Sequence, residues 1–202
     1  MGTEANALLR VEMSPRQFLA RLIEERQFVD AARFLANALP KREAVWWSCL
    51  CARKIAGPNP SASHQAAIEG AELWASDPTE ANRRAAMPLA ETAGLGTPAG
   101  CAAAAAFWSG GSLAPPELPA VPPADHLTAH GVASAVMLAA VNSEPEKAPE
   151  KYDAFFELGL GVAEGRLRWA AQPAPASRKA AEPVAPAQTA APSTRRPAIN
   201  WD

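Results

Sequence analysis

Apolar side chains recur every three or four residues through most of the segment 1–171, which is the spacing of one face of an α-helix. In the first predicted helix, over 15–25, Phe18, Leu19 and Leu22 begin such a stripe. Further helices are predicted over 28–39, 42–56, 61–76, from 78 with a kink or split at Pro88, 98–109, 127–142 and 149–168. No segment shows the alternation of apolar and polar residues that is typical of a strand. The pattern therefore predicts an all-α fold, an irregular bundle of six to eight short antiparallel helices.

Three of these helices carry a start signal in which a capping residue is followed directly by proline, at Ser14, Asp77 and Thr97. Proline is tolerated at the first helical position, because the N–H that it lacks would have no partner inside the helix. Gln17 and Glu80 each stand three residues after a capping residue, so both are predicted to complete a capping box.

Residues 44–52 are apolar on every side of a helix, which is typical of a central helix, and the longest strongly apolar stretches are 101–108 and 132–141. The last two reach about half of the roughly 20 residues that span a bilayer. They are therefore predicted to be buried helices, and no membrane partner is expected.

Two other segments are rich in proline. Residues 112–125 contain five prolines in fourteen positions and are predicted to form an extended strap across the helical body. Residues 172–198 consist largely of alanine and proline and bury too little apolar surface to offset the entropy of ordering, so they are predicted to be a disordered linker. The predicted organisation is a helical domain over 1–171, this linker, and a linear motif over 199–202.

Composition and charge narrow the choice of partners. Of 202 residues 48 are alanine, so the core must be built largely from small side chains. The formal net charge of −2 gives no broad basic field for a nucleic-acid backbone or an anionic membrane. The three cysteines do not form the even framework of a secreted disulfide scaffold, and the first residues lack a secretion signal, so a cytoplasmic location is expected.

The candidate chemistry is weak. His126 and His130 lie four residues apart, as a helical pair of metal ligands would, but no third ligand is evident, and ordinary polar positions are the favoured interpretation. Cys49 and Cys51 diverge by about 200° on a helix and are predicted to pack in the core. No metal, cofactor or catalytic residue is therefore predicted.

Two polar segments are also interpreted structurally. The Arg83–Arg84 pair is predicted to lie on a solvated helix face, in preference to a phosphate or an acidic partner. Residues 109–112, Ser-Gly-Gly-Ser, are predicted to stop a helix and form a turn, because anions favour the other end of a helix.

The predicted partner-binding residues are Ile199, Asn200, Trp201 and Asp202, together with Trp46. Residues 199–202 include two large apolar side chains, those of Ile199 and Trp201, and follow a linker that spans about 25–30 Å if it is coil-like. Docking of Trp201 back on its own domain, or no role at all, are the alternatives. Adjacent helical residues point about 100° apart, so one of Trp46 and Trp47 is expected to be partly exposed as an anchor.

Three stretches carry a family resemblance: 42–53 (REAVWWSCLCAR), 77–84 (DPTEANRR) and 107–123 (FWSGGSLAPPELPAVPP), together with a terminal segment containing Trp201. With these, the chain resembles an uncharacterised family of small bacterial all-helical proteins. Their genes often lie among type VI secretion components, near those for spike-tip proteins and effector-loading adaptors. The resemblance implies an accessory role and brings no catalytic residues with it.

The favoured functional hypothesis is a non-enzymatic adaptor or co-chaperone, in which the helical body binds one protein and residues 199–202 capture another. Two linked weak sites gain avidity through effective concentration. A structural subunit of a homo-oligomer, whose tail docks on a neighbouring copy, is the first alternative. A metal-dependent enzyme that uses His126 and His130 is the second.

Overall fold

The computed structural model describes residues 2–10 and 12–169, and within them every regular element is helical. A short 3₁₀ turn over Pro145–Lys147 precedes the last helix. The α-helices are α1 Thr3–Leu8, α2 Pro15–Glu24, α3 Phe28–Ala38, α4 Lys41–Ala56, α5 Ala62–Ser76, α6 Glu80–Ala93, α7 Pro98–Phe107, α8 Leu127–Val141 and α9 Ala148–Ala163. The all-α prediction is confirmed, with α1 added to the predicted set. None of the described helices is long and apolar enough to cross a membrane.

Helix α1 depends on tertiary contacts. It has no side-chain cap; instead the backbone N–H of Gly2 donates to both carboxylate oxygens of Asp30, at 3.1 and 3.2 Å. Ala5 is fully buried, and Gln27 donates to Glu4 at 3.2 Å. A six-residue segment held by contacts this distant in sequence leaves little periodicity to recognise.

The predicted start signals are confirmed at two of the three positions. Ser14 forms the expected capping box with Gln17, and Thr97 accepts from the N–H of Gly100. The box predicted for Asp77 and Glu80 is wrong, because Thr79 is the capping residue of α6 and accepts from Asn82. Glu80 is therefore available for the arginines one turn further along.

Helix α7 is the centre of the core and packs against α4, α5, α6 and α8. Its residues from Ala99 to Phe107 are all buried, and most are alanine, whose small side chain lets neighbouring helices approach closely. Helix α4 is also central, as its apolar sequence predicts. Its Trp47 is completely buried, and the indole N–H donates to the carbonyl of Phe155 at 2.7 Å.

Helices α6 and α9 depart most from the sequence prediction. Helix α6 continues through Pro88, so of the predicted kink or split the split does not occur. Helix α9 ends at Ala163 instead of 168, because Gly165 adopts a positive φ of 72°. The N–H of Arg166 then donates to Gly161 and that of Gly165 to Val162, which is a Schellman motif that turns the chain back.

The proline-rich strap over 112–125 is free of helix, as predicted, and closes on itself through the N–H of Leu113, which donates to Val121 at 2.8 Å. Arg83 fastens its beginning. The guanidinium donates to the carbonyls of Phe107 and Ser112 and lies 4.7 Å from the Phe107 ring centroid. The prediction that this arginine pair lies on a solvated face is therefore wrong for Arg83, whose side chain is only 4% exposed.

Glu80 completes this arrangement, since its carboxylate accepts from Arg83 at 2.6 and 2.8 Å and from Arg84 at 2.7 Å. Hydrogen bonding to Arg83 is the main cause that lowers the pKa of Glu80 to about 2. The carboxylate is thus ionised at neutral pH and stays ionised until the pH falls toward that value.

We expect Glu80→Gln to lower the free energy of unfolding at pH 7 by at most about 1 kcal/mol, because the solvent screens a carboxylate that is 54% exposed. A lowered pKa stabilises the folded state above the unfolded-state pKa, and this contribution is lost as the pH falls through the folded-state value. The difference in the free energy of unfolding between the two proteins should therefore shrink as the pH falls from about 5 to about 2. Urea unfolding across this range checks it, and a difference independent of pH would contradict it.

Candidate functional site

An open groove of about 730 Å³ runs along α8 and is called here the α8 groove. Its lining is mainly apolar and comes from α8, α3, α7, α9 and the turn between α6 and α7. Val29, Leu95 and Val141 line it and remain 42%, 47% and 50% exposed. Three large, exposed apolar side chains around one groove form the kind of patch that marks an interaction surface.

Helix α8 positions the groove because it is apolar on all sides but is covered on only some of them. Its inner residues, such as Val132 and Val136, are fully buried against neighbouring helices. The hydroxyl of Thr128 donates to the carbonyl of Trp108 at 3.0 Å and ties the start of α8 to the end of α7. The outer residues line the groove, so the prediction of a buried helix over 132–141 holds for one side only.

His126 and His130 lie at the N-terminal end of the groove. His126 precedes the first helical residue of α8, His130 is one turn further on, and their ring centroids are 5.6 Å apart. Neither imidazole has a hydrogen-bond partner among the described residues, and both are exposed. Within the same residues, no group of three or more His, Cys, Asp or Glu is placed to hold a metal ion.

A second cavity, of about 460 Å³, adjoins the same histidines on the side of α3. Arg33 and Asn37 of α3 line it together with His126 and His130. No carboxylate is found among the described residues that line either cavity. This end of the groove therefore offers hydrogen-bond donors and a positive charge.

The floor of the groove is chemically inert. Tyr152 stacks on Phe28 with ring centroids 5.1 Å apart, and burial raises the pKa of its hydroxyl. Burial likewise raises the pKa of Cys101, whose thiol donates to the carbonyl of Leu95 at 3.0 Å. Since the thiolate is the nucleophile, a thiol with a raised pKa reacts slowly.

Cys49 and Cys51 confirm their predicted role in the core. Both are fully buried on α4, and burial raises the pKa of each thiol far above its usual range. They therefore contribute packing at physiological pH.

Trp46 is half-buried and its neighbour Trp47 is fully buried, which agrees with the expectation that one of the two is partly exposed. The ring of Trp46 meets that of Trp169 edge-on, with centroids 6.4 Å apart. Arg42 lies over Trp169, 4.0 Å from its ring centroid. The indole nitrogen of Trp46 is buried and finds no partner within the described residues. Its role as a partner-binding anchor stays a prediction.

The predicted motif residues Ile199, Asn200, Trp201 and Asp202 lie outside the described residues, as does the linker 172–198. Sequence reasoning missed the groove residues Val29, Leu95 and Val141. The available signal was the uniformly apolar sequence of α8, which indicates burial and does not distinguish a packed face from an open one.

A family model matches residues 18–163, from within α2 to the last residue of α9. The chain belongs to DUF6931, a family of unknown function. This confirms the coarser part of the resemblance, an uncharacterised family, and the match covers the whole of α8 and α7. Comparison of this DUF6931 protein with curated proteins and with solved structures finds no match. The link to type VI secretion stays a prediction.

Proposed function

We propose that this DUF6931 protein is a non-enzymatic adaptor or co-chaperone that binds proteins at two places. The helical body binds one partner in the α8 groove, and residues Ile199–Asp202 capture another. The observation that carries the proposal is the groove itself, in which Val29, Leu95 and Val141 stay exposed around an apolar cavity. Burying exposed apolar side chains against a partner is favourable, and an exposed apolar patch is typical of an interaction site.

The second site is proposed from the sequence alone. After a segment dominated by alanine and proline, Ile199 and Trp201 are large apolar residues with no evident role in that segment. Tryptophan is enriched among the residues that anchor interfaces. Trp46, half-buried beside Trp169, is proposed as a further contact for the captured partner.

The resemblance suggests the setting in which to search for these partners. We propose that the protein acts in the cytoplasm and assists effector or spike assembly in type VI secretion. Candidate partners are therefore a spike protein, an effector or another adaptor. No nucleic acid or membrane partner is proposed, because a net charge of −2 creates no broad field that would attract a nucleic-acid backbone or an anionic membrane.

The test is affinity purification from the native host, with the intact chain compared with a version that ends at Ala198. We expect the truncated version to lose at least one stoichiometric partner, identified by mass spectrometry, and to keep the melting temperature of the intact chain. Light scattering of each purified protein reports the oligomeric state.

Three outcomes would count against this proposal. Identical partners for both versions would remove residues 199–202 from the binding function. A lower melting temperature without loss of a partner would indicate that Trp201 docks on its own domain. A homo-oligomer that becomes monomeric on truncation would favour the structural-subunit alternative.

A further inference from the structure

We propose that the α8 groove takes an amphipathic helix of a partner protein, with acidic residues of that helix at the histidine end of the groove. The proposal rests on the proposed function and names the chemistry of the segment that the helical body binds. It follows from the shape of the groove, from its backbone and from the distribution of charge along it.

The shape matches one side of a helix. The outward residues of α8 recur at three- to four-residue spacing, from Leu127 through Ser134 and Leu138 to Val141. They form a single stripe along all 15 residues of the helix, which is about 22 Å at 1.5 Å per residue. A helix lying along such a stripe meets it with side chains at positions i, i+3 or i+4, and i+7.

The backbone of the groove favours a helix over an extended peptide. An extended peptide gains much of its affinity by adding a strand to a sheet edge with free N–H and C=O groups. The described residues contain no strand, and the long wall of the groove is helix α8, whose backbone groups are paired within the helix. A partner helix pairs its own backbone and needs only side-chain contacts.

The charge along the groove is uneven. At one end His126 and His130 lie beside the N-terminus of α8, where the helix dipole is positive, and Arg33 lines the adjoining cavity. Asp30, on the preceding turn of α3, forms a salt bridge with Arg33 at 3.9 Å and also accepts from Gly2. Arg33 lines the cavity and Asp30 does not, so it is the cationic member of this pair that a ligand meets there. Asp125, next to His126, lines neither cavity. Acidic side chains on the partner are complementary to this end.

Away from the histidines the lining is mainly apolar and includes Leu138, Val141, Leu95 and Val29. A second copy of this chain is a poorer occupant for this reason. If two α8 helices packed antiparallel, the imidazoles of one would be buried against Leu138 and Val141 of the other. If they packed parallel, the two histidine and arginine ends would meet each other. Both arrangements bury polar groups without complementary partners.

Four fluorescent helical peptides test the proposal on the intact chain. All carry leucine at i, i+3 and i+7; two have a pair of glutamates at one end, and two have a pair of lysines at one end. Each charge pair is placed in turn at either end of the peptide, since the partner helix can run in either direction. By anisotropy, we expect the better glutamate peptide to bind at least about tenfold more tightly than either lysine peptide, a free-energy gap set by charge complementarity.

Two matched substitutions give the controls, because Val141 and Val121 are each 50% exposed. We expect Val141→Glu in the groove to weaken the glutamate peptide at least about tenfold, and Val121→Glu on the strap to leave it unchanged. Replacing Arg33, His126 and His130 together by alanine should remove the preference for glutamate while retaining the apolar contribution. All three side chains lie at the surface, so the folded state should persist.

Equal affinities for the two peptide types, or binding that Val141→Glu does not affect, would overturn the proposal. So would a dimer of the intact chain that Val141→Glu converts to a monomer, because the occupant would then be a second copy. If the peptides show no preference while truncation at Ala198 still removes a host partner, the helix assignment fails and the adaptor function stands. If the peptides behave as expected and truncation removes no partner, the helix assignment stands and the adaptor function fails.

Discussion

Trp47→Ala is expected to lower the free energy of unfolding by about 4–5 kcal/mol, near the upper end of the range for a large aromatic removed from a core. The Trp47 side chain is completely buried on α4 and contacts Phe156 of α9, with ring centroids 6.4 Å apart. Its loss leaves a cavity that backbone shifts cannot fully close. It also leaves the buried carbonyl of Phe155 without its donor, and this accounts for about 1–3 kcal/mol of the total if no water replaces it.

Urea unfolding followed by circular dichroism measures the effect. Trp47→Phe retains most of the ring but not the N–H, so a loss of about 1–2 kcal/mol is expected, and this variant keeps the test informative if the alanine variant does not fold. Leu118→Ala, on a strap residue that is 59% exposed, should change stability by less than about 0.5 kcal/mol. Similar losses for Trp47→Ala and Leu118→Ala would contradict the assignment of Trp47 to the core.

Arg83→Met is expected to cost about 2–4 kcal/mol, because the arginine is nearly buried and its donors satisfy groups from three parts of the chain. Methionine keeps the apolar stem but no donor. The carbonyls of Phe107 and Ser112 then lose their charged partner. Glu80 loses both hydrogen bonds from Arg83 and keeps the one from Arg84. The strap should consequently detach from α6 before the helices unfold.

Hydrogen exchange checks this local prediction. In Arg83→Met, the amide protons of Leu113 and Val121, whose bonds close the strap, should exchange much faster than in the intact chain. Arg84→Met is the matched control, since that side chain is 28% exposed and bonds to Glu80 and Ala114, and it should cost only about 0.5–1 kcal/mol. If the two arginine variants lowered stability equally, burial of Arg83 would add nothing to the stability that its hydrogen bonds provide.

Local sequence signals predicted most of the helices. The capping residues Ser14 and Thr97 act within four residues of themselves, and no tertiary contact changes their role. The apolar segments 44–52 of α4 and 101–108 of α7 likewise predicted that these helices are buried. Each of these features depends on neighbours in the chain, which is why the sequence reveals it.

The predictions that failed depend on contacts between distant residues. Arg83 stands in a polar stretch that is typical of a surface helix, and only the position of residues 107–112 against α6 buries it. Helix α1 depends on Asp30 in the same way. At the end of α9, the helical pattern continues past Ala163, but Gly165 favours the left-handed turn that stops it.

The α8 groove was hidden for a related reason. Periodicity reports how apolar a helix is on each side, and α8 is apolar on all of them. Whether another helix covers a given side is decided by the packing of α3, α7 and α9 around it. The exposed Val141 and the buried Val136 are indistinguishable in the sequence and differ only in what lies beside them.

The measurement that tests the adaptor claim most directly is quantitative capture of host proteins by four versions of the chain. These are the intact chain, the version ending at Ala198, Val141→Glu, and the two changes combined, with Val121→Glu as the matched surface control. We predict that truncation and Val141→Glu each remove a different stoichiometric partner and that the combined version loses both. If both single changes remove the same proteins, or neither removes any while folding is retained, the chain does not join two partners through two sites.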